Sequence, residues 1–333
     1  MTTFKEIRGT AIQVVSSDPS NPETGQIWYN SSSGTLKGYQ LATVNVWSSG
    51  GNLNNARKSV GSAGTQTAAI GVGGFDSDYS KKVESYNGTS WSNLTDFTSP
   101  LGRSGLAVVG TQTATLAWSG GDGVTYPAVA FLYNGTSWTT GTNMPIGRSG
   151  AAGSGTQTSA LSIGGYNDDG QPGYLNTCFL YNGSWTSTGN LNTARNSLGA
   201  SAGGTQTATL AFGGQINSAP TYSTNATESF NGTSWTSVNS LNTSRNGVGG
   251  AGTQTTTLAF GGNSPPSTAL TATELWNGTS WTSNPTGLAT ARGTSGTQAG
   301  TQAAALNSSS NYPSAATEEW NTTILATRTI TVS

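Results

Sequence analysis

The stretch YNGTSWTTGTNMPIGRSG, Tyr133 to Gly150, contains an aromatic residue, an Asn-Gly pair, a tryptophan and then an arginine. Related stretches begin at Tyr86, Tyr181, Phe230 and Trp276. Asn-Gly between two alternating runs is a strong signal for a two-residue hairpin turn, because both central residues take positive φ. The chain therefore repeats one hairpin, and an arginine follows each copy.

Three markers give the period of the repeat. A tryptophan recurs at Trp47, Trp91, Trp138, Trp185, Trp235 and Trp281. An arginine follows each time, at Arg57, Arg103, Arg148, Arg195, Arg245 and Arg292. The sequence GTQ then begins at Gly64, Gly110, Gly155, Gly204, Gly252 and Gly300. Steps of 44 to 50 residues between tryptophans are typical of propeller blades.

Each repeat divides into four short strands, which we name A to D. Strand A is rich in small residues and runs to GTQT, and strand C ends at Asn-Gly before the strand D that carries the tryptophan. Strand B is apolar and leads into Gly-Gly at Gly73, Gly120, Gly164, Gly213 and Gly261. No segment has a period of 3.6, so we expect an all-β protein with essentially no helix.

The order of Gly-Gly, aromatic, turn, Trp and Arg resembles the kelch repeat, whose blades build β-propellers. The resemblance covers residues 41–333 and implies a six-bladed kelch-like β-propeller. The sixth repeat departs from the pattern, because AALNSSS has lost Gly-Gly and no tryptophan follows the turn after Trp320. The strand with Trp47 has no strand C before it, so we predict that it completes the blade that holds Trp320. The tail ATRTITVS either pairs outside or competes for the same edge.

Residues 1–40 form a separate segment, in which GQIWYNSSSGTLKGYQ predicts a small N-terminal β-hairpin arm. This arm resembles short N-terminal modules of fibre and appendage proteins of tailed bacteriophages, and Gly/Thr/Asn-rich kelch units of this style resemble those of phages. The resemblance implies a virion location, with residues 1–40 docking onto other virion proteins.

The composition excludes several classes of function. A net charge of −1 gives no basic field for nucleic acid, and no apolar run is long enough for membrane insertion. The start MTTFKEIRGT lacks the apolar core of a signal peptide, so we expect synthesis in the host cytoplasm. Only 8% of the residues are charged, which predicts a surface of hydroxyls and amides.

The six arginines are expected at the starts of the inner strands, on the side of the B–C loops. A ring of guanidinium groups there would grip carboxylate, sulfate or phosphate groups. In the alternative, which we favour, each arginine bonds carbonyls of the neighbouring blade and ties blades together. A structural role that every blade needs explains the repeated arginine more simply than ligand binding does.

The B–C loops differ between copies, whereas the GTQ turn occurs in all six copies and Asn-Gly in five. Variation confined to one side suggests a binding surface, although unpacked loops also drift freely. Aromatic residues in these loops would stack on sugar rings: Phe75, Tyr79, Tyr126, Tyr166, Tyr174 and Tyr222. Two pairs of carboxylates, Asp76 with Asp78 and Asp168 with Asp169, would suit calcium, but solvated turns are the favoured interpretation.

Catalysis is not expected. The chain has no histidine, which removes the commonest general base, and Cys178 reads as a buried apolar residue beside Phe179. We predict no catalytic residue, no metal site and no cofactor. The expected function is a virion fibre or appendage that attaches to a host cell-surface glycan or receptor. A homo-oligomer is one of the assemblies that the sequence allows. A purely structural or decorating propeller is the alternative, and an enzyme acting on polysaccharide ranks third.

Overall fold

The computed structural model describes residues 12–330 except 100, 168–172, 219–221, 266, 294–298 and 309; only the backbone is described for 40–43, 324–326 and 328. The chain divides into two compact units. The terminal unit comprises Met1–Asn45 and Asn321–Ser333, and the central unit comprises Val46–Trp320. The division into an arm of residues 1–40 and a propeller of residues 41–333 stays a prediction.

The terminal unit contains a short sheet in the order β1-β2-β3-β28. Its strands are β1 (Gln13–Val15), β2 (Ile27–Asn30), β3 (Thr35–Ser49) and β28 (Glu318–Thr329). Strands β2 and β3 form the antiparallel hairpin that the sequence predicts, with Asn30 opposite Thr35. Strand β1 is parallel to β2. Strands β3 and β28 also contribute residues to the central unit.

The central unit is built of four-stranded antiparallel sheets, each with its strands in the chain order A-B-C-D. Sheet 1 contains β4 (Gly61–Thr65), β5 (Ala68–Val72), β6 (Val83–Tyr86) and β7 (Trp91–Asn93). Sheet 2 contains β8 (Ala107–Thr111), β9 (Ala114–Trp118), β10 (Ala130–Tyr133) and β11 (Trp138–Thr140). Sheet 3 contains β12 (Ala152–Gly155), β13 (Ala160–Asn167), β14 (Gly173–Tyr181) and β15 (Trp185–Ser187).

Two further sheets follow the same plan. Sheet 4 contains β16 (Gly199–Ala200), β17 (Thr209–Phe212), β18 (Thr227–Phe230) and β19 (Trp235–Val238). Sheet 5 contains β20 (Gly249–Gly252), β21 (Thr257–Phe260), β24 (Thr273–Trp276) and β25 (Trp281–Asn284). Its B–C loop holds a small hairpin of β22 (Asn263–Ser264) and β23 (Thr268–Ala269).

Sheet 6 takes strands from both ends of the chain. Strands β26 (Ala299–Gly300) and β27 (Ala304–Asn307) are followed by the start of β28 and then by the end of β3. Trp47 of β3 lies beside Trp320 of β28, with 5.6 Å between ring centroids. The pairing that the sequence predicts for the strand with Trp47 is therefore present.

The prediction of an all-β chain is confirmed for the residues that the structure describes, since none of them lies in a helix. It follows that no described helix has the length and hydropathy needed to cross a membrane. The predicted hairpins are present, but their turns are longer than the expected two residues. Four residues separate Tyr133 from Trp138, and only the glycine of Asn-Gly has a positive φ, because Asn134 Oδ1 instead accepts the backbone N–H groups of Thr136 and Ser137. In sheets 1 to 5 the aromatic residue that ends strand C pairs with the tryptophan that begins strand D, as in Tyr133 with Trp138.

The Gly-Gly alignment needs one correction, in sheet 2. The backbone N–H of Gly74 donates to Arg103 O, and Gly120 N–H donates in the same way to Arg148 O. Gly120 is therefore equivalent to the second glycine of sheet 1, and Ser119 occupies the place of Gly73 with a φ of 60°. Because the position needs a positive φ, serine is strained there, and sequence alone favours the neighbouring Gly-Gly pair.

The core consists of apolar clusters between successive sheets. One cluster each joins sheets 1 and 2, 2 and 3, 3 and 4, 4 and 5, and 5 and 6, and one joins sheet 6 to sheet 1. Inner strands also contact one another in this order, from β4 to β8, β12, β16, β20 and β26, and β26 contacts β4. The approach is so close that a Cβ atom on Gly250 would lie 2.1 Å from Ala200 O, which explains why these strands are rich in Gly, Ala and Ser.

Candidate ligand-binding face

Each sheet has two different ends. The A–B turns of sequence GTQ and the C–D turns of sequence Asn-Gly lie at one end, which we call the turn side. The B–C loops and the D–A connections lie at the other end, which we call the loop side.

The glutamine of GTQ links each sheet to the one before it. In all six copies its side-chain amide donates to two backbone carbonyls of another sheet, one where strand B begins and one where strand C ends. The acceptor sheet is the one before it in the chain, except for Gln66 of sheet 1, whose acceptors lie in sheet 6. Gln157, for example, donates to Thr115 O at 3.0 Å and to Tyr133 O at 2.6 Å. The other five are Gln66, Gln112, Gln206, Gln254 and Gln302. Our sequence analysis missed this role, although the identity of the residue in every copy was the available signal.

The six arginines lie inside the sheets, near the loop side, with at most 4% of each residue exposed. Arg245 is representative: its Nη1 donates to Gly261 O and to Ala272 O, each at 2.9 Å. These acceptors flank the B–C loop of the sheet that the arginine itself precedes. The contacts support the structural alternative, with the difference that the side chains of five arginines, all but Arg103, bond carbonyls of their own sheet rather than of the neighbouring one. A ligand-binding role for the arginines stays a prediction without a supporting contact.

Four of the arginines are paired with a buried glutamate of strand C. Arg245 Nη2 lies 2.9 Å from Glu274 Oε1, and the same pairing joins Arg57 to Glu84, Arg195 to Glu228 and Arg292 to Glu318. The other glutamate oxygen accepts a backbone N–H of the D–A connection, as Glu274 Oε2 does from Asn242. Burial lowers the pKa of Arg245, and the glutamate opposes that shift.

The remaining two arginines meet an aromatic ring where the others meet a carboxylate. Phe131 and Phe179 occupy the strand position of Glu84, and the guanidinium groups of Arg103 and Arg148 lie 5.6 and 4.9 Å from the respective ring centroids. Arg103 also approaches Asp122 at 4.0 Å. Arg148 Nη2 donates to Thr177 Oγ1, and burial lowers the pKa of Arg148 to about 10.

The predicted aromatic residues form two sets of ring contacts, and Tyr222 belongs to neither. Tyr126 packs edge-on against Tyr166 at 5.7 Å, and Tyr166 packs against Tyr174 at 5.4 Å, which joins the loop sides of sheets 2 and 3. Tyr79 packs against Phe75 at 5.1 Å in sheet 1. Tyr222 is 49% exposed in the B–C loop of sheet 4 and makes no ring contact with another described aromatic residue.

Two cavities border this aromatic group. The first has a volume of about 330 Å³ and is lined by residues that include Tyr79 and Tyr126. The second has a volume of about 290 Å³ and lies between Tyr174 and the B–C loop of sheet 4. Both volumes lie near the small end of the range for small-molecule sites, about 300–1,000 Å³. The loop side therefore presents aromatic rings next to concave, partly polar surface.

The carboxylates considered for calcium do not form a metal cluster where the structure describes them. Asp76 accepts the backbone N–H groups of Ser77 and Asp78, and Asp78 accepts that of Tyr79 at 2.7 Å. Within the described ranges no group of three potential ligands is found. Asp168 and Asp169 lie outside the described residues. Cys178 is buried, and burial raises the pKa of its thiol to about 11, so it is protonated at neutral pH.

Comparison with known proteins gives no family assignment. No protein-family model matches the chain, and a search of curated proteins finds no significant relative. The inference of function therefore depends on the sequence pattern and on the geometry of the loop side.

Proposed function

We propose that this chain is a structural protein of a tailed-phage virion, a fibre or appendage, that attaches to a glycan on the host cell surface. Its central unit would display the loop side outward. Residues 1–40 would dock onto other virion proteins, as their resemblance to appendage modules implies.

The proposal includes a six-bladed, closed, kelch-like propeller. Three contacts between the first and the last sheet support closure: Gln66 donates to Trp320 O at 2.7 Å, Ser59 N–H donates to Ser310 O at 3.2 Å, and the hydroxyls of Ser62 and Ser308 lie 2.8 Å apart. A cavity of about 140 Å³ lined by inner-strand residues of five sheets fits the narrow channel of such a ring.

The observation that carries the proposed function is the difference between the two sides. On the turn side, the repeated glutamines are used to join sheets. On the loop side, Tyr79, Tyr126, Tyr166 and Tyr174 lie beside two cavities, and the loops around them differ from copy to copy. Aromatic rings offer large contact area with little conformational entropy to lose, which suits recognition.

Binding of the full-length protein to host bacteria tests the proposal. We expect labelled protein to bind saturably and to be displaced by surface polysaccharide extracted from the same cells. Tyr174→Ala should weaken binding. Tyr312→Ala, which changes a 73% exposed tyrosine in the B–C loop of sheet 6 that lines neither cavity, should leave binding unchanged. Absence of cell binding, together with protein packed flat into the particle surface in electron micrographs, would favour the decorating role instead.

A further inference from the structure

The first cavity exists because one repeat lacks a side chain at a particular position. In sheets 1 to 5, the residue after the arginine forms a backbone bridge on the loop side with the residue that follows the Gly-Gly position. In sheets 1, 3, 4 and 5 this second residue is large or polar: Phe75, Tyr166, Gln215 and Asn263. In sheet 2 it is Gly121, which bridges to Ser104.

Neither backbone conformation nor crowding requires a glycine at position 121. Its φ lies outside the left-handed region, unlike that of Gly120 and Gly123. A Cβ atom added there would have Tyr126 Cε1 as its nearest neighbour, at 3.7 Å, which is ordinary van der Waals contact. The missing side chain is thus not explained by folding, and its effect is to leave the cleft open.

The cleft around Gly121 has aromatic and aliphatic walls. Tyr79 reaches over from sheet 1 and rests on Gly123, where a Cβ atom would lie 2.6 Å from the tyrosine ring. Tyr126 and Val124 complete these walls. Val124 is 81% exposed, so this part of the wall is open to a ligand that arrives from solvent.

Hydroxyl groups provide the rest of the lining, from Ser104, Thr125 and Ser149. Within the described chain, the hydroxyls of Ser104 and Ser149 have no hydrogen-bond partner. Among the described residues that line the cleft, none has a charged side chain. The nearby Asp122 accepts from the backbone of Val124 and Thr125 and faces Arg103, so its charge is already engaged.

We infer that the Gly121 cleft binds one ring of an uncharged saccharide. A pyranose ring has a face of C–H bonds that packs on tyrosine rings. Its rim of hydroxyls can donate to and accept from Ser104 and Ser149, and can donate to Thr125, whose own hydroxyl donates to Asp122. A carboxylated or sulfated sugar would bring a charge to a site without a cation, which is costly to desolvate. The inference rests on the proposed function and deepens it, because it names the ligand class and the subsite.

The experiment uses full-length protein and saturation-transfer NMR with a panel of uncharged probes: the methyl glycosides of glucose, galactose and mannose, and N-acetylglucosamine. Glucuronic acid is the charged comparison. We expect at least one uncharged probe to bind and glucuronic acid to give no signal. Gly121→Gln, which restores the side chain of sheet 4, and Tyr126→Ala should each weaken binding roughly tenfold or more.

Gln215→Ala is the matched control, since it changes the equivalent position of sheet 4 and should leave affinity unchanged. Thermal melting of every variant checks that the fold is retained, and Tyr126→Ala keeps the test valid if Gly121→Gln does not fold. The inference is overturned if no uncharged probe binds, if only glucuronic acid binds, or if Gly121→Gln and Tyr126→Ala bind like the parent protein.

The two proposals fail in different ways. If host cells bind the parent protein and Gly121→Gln equally well, attachment stands and the cleft is not its sugar subsite. If the uncharged probes bind at the cleft but host cells do not bind, the saccharide site stands and the attachment function is wrong.

Discussion

The arginine before each inner strand occupies one of two environments, and the difference has a measurable consequence. Arg245 makes two bonds to carbonyls and an ion pair with buried Glu274, whereas Arg148 makes equivalent carbonyl bonds but packs on Phe179 in place of a carboxylate. Removal of Arg245 leaves a buried charge without its counterion. Removal of Arg148 leaves no such charge, because Phe179 stands where the other arginine has its carboxylate.

Replacement of each arginine by methionine should therefore cost different amounts of stability. Loss of the carbonyl bonds alone costs about 1–3 kcal/mol, and breaking a buried ion pair costs about 3–5 kcal/mol. We expect Arg245→Met to lower the free energy of unfolding in urea by roughly 2 kcal/mol more than Arg148→Met. Adding Glu274→Gln to Arg245→Met should recover part of the loss. Equal losses for the two single variants would show that the carboxylate contributes nothing.

At the scale of strands and turns, Asp18 holds the hairpin of the terminal unit together. Its carboxylate accepts from Asn30 Nδ2 at 2.7 Å, from Lys37 Nζ at 2.9 Å and from Trp28 Nε1 at 3.0 Å. These bonds, that from Asn30 above all, lower the pKa of Asp18 to about 2. A carboxyl group with a lowered folded-state pKa stabilises the fold above its unfolded-state value, and that contribution is lost as the pH falls through the folded-state value.

We expect the hairpin to loosen between about pH 4 and pH 2 as Asp18 is protonated. The indole N–H resonance of Trp28 in NMR spectra follows this change directly. In Asp18→Asn the same resonance should be shifted at neutral pH and should change little over the acidic range. A parent protein whose Trp28 resonance stays constant down to pH 2 would contradict the assignment.

The sequence identifies these elements unevenly, for physical reasons. The hairpins are predictable because Asn-Gly and the following tryptophan are local signals, and Tyr133 opposite Trp138 follows from them. The place of Ser119 is not predictable, because a non-glycine residue at positive φ is held there by its surroundings. Gln157 reads as a polar turn residue because its acceptors lie in another sheet, 42 and 24 residues earlier.

The candidate site, too, is predictable from the sequence only in part. Its tyrosines are recognisable in the variable loops, and Tyr126, Tyr166 and Tyr174 do come together. The cleft itself depends on Gly121, whose meaning appears only after Ser119 shifts the alignment of sheet 2 by one residue. Four of the buried arginines pair with glutamates of strand C, and the sequence does not reveal this pairing although the glutamate recurs in four copies.

At the scale of the whole molecule, the proposed closure of the six sheets predicts that a covalent link between the first and the last is compatible with the fold. The hydroxyls of Ser62 and Ser308 are buried and 2.8 Å apart across 246 positions of sequence. We expect Ser62→Cys with Ser308→Cys to form an intramolecular disulfide on oxidation. The long loop so closed would stabilise the protein by up to about 5 kcal/mol in the chain-entropy account.

Non-reducing electrophoresis and thermal melting with and without reductant measure the link and its effect. Each single cysteine variant serves as the control for adventitious oxidation at Cys178. If the folded double variant does not cross-link within one chain, the first and last sheets do not meet. That result would contradict the proposed closed propeller.

The glutamines of the turn side give the proposed ring a direction. Five of them donate to chain that has left the ribosome before them, so each new sheet meets a finished predecessor as it emerges. Gln66 is the exception, because its acceptors Ala305 and Trp320 are made 239 and 254 residues later. At roughly 5–20 residues per second, translation separates these partners by on the order of 10–50 seconds. Sheet 1, the first of the six sheets to be synthesised, therefore waits longest for its last partner. Until sheet 6 is made, the side of sheet 1 that contacts it stays exposed, and this is the surface of the nascent chain that needs protection.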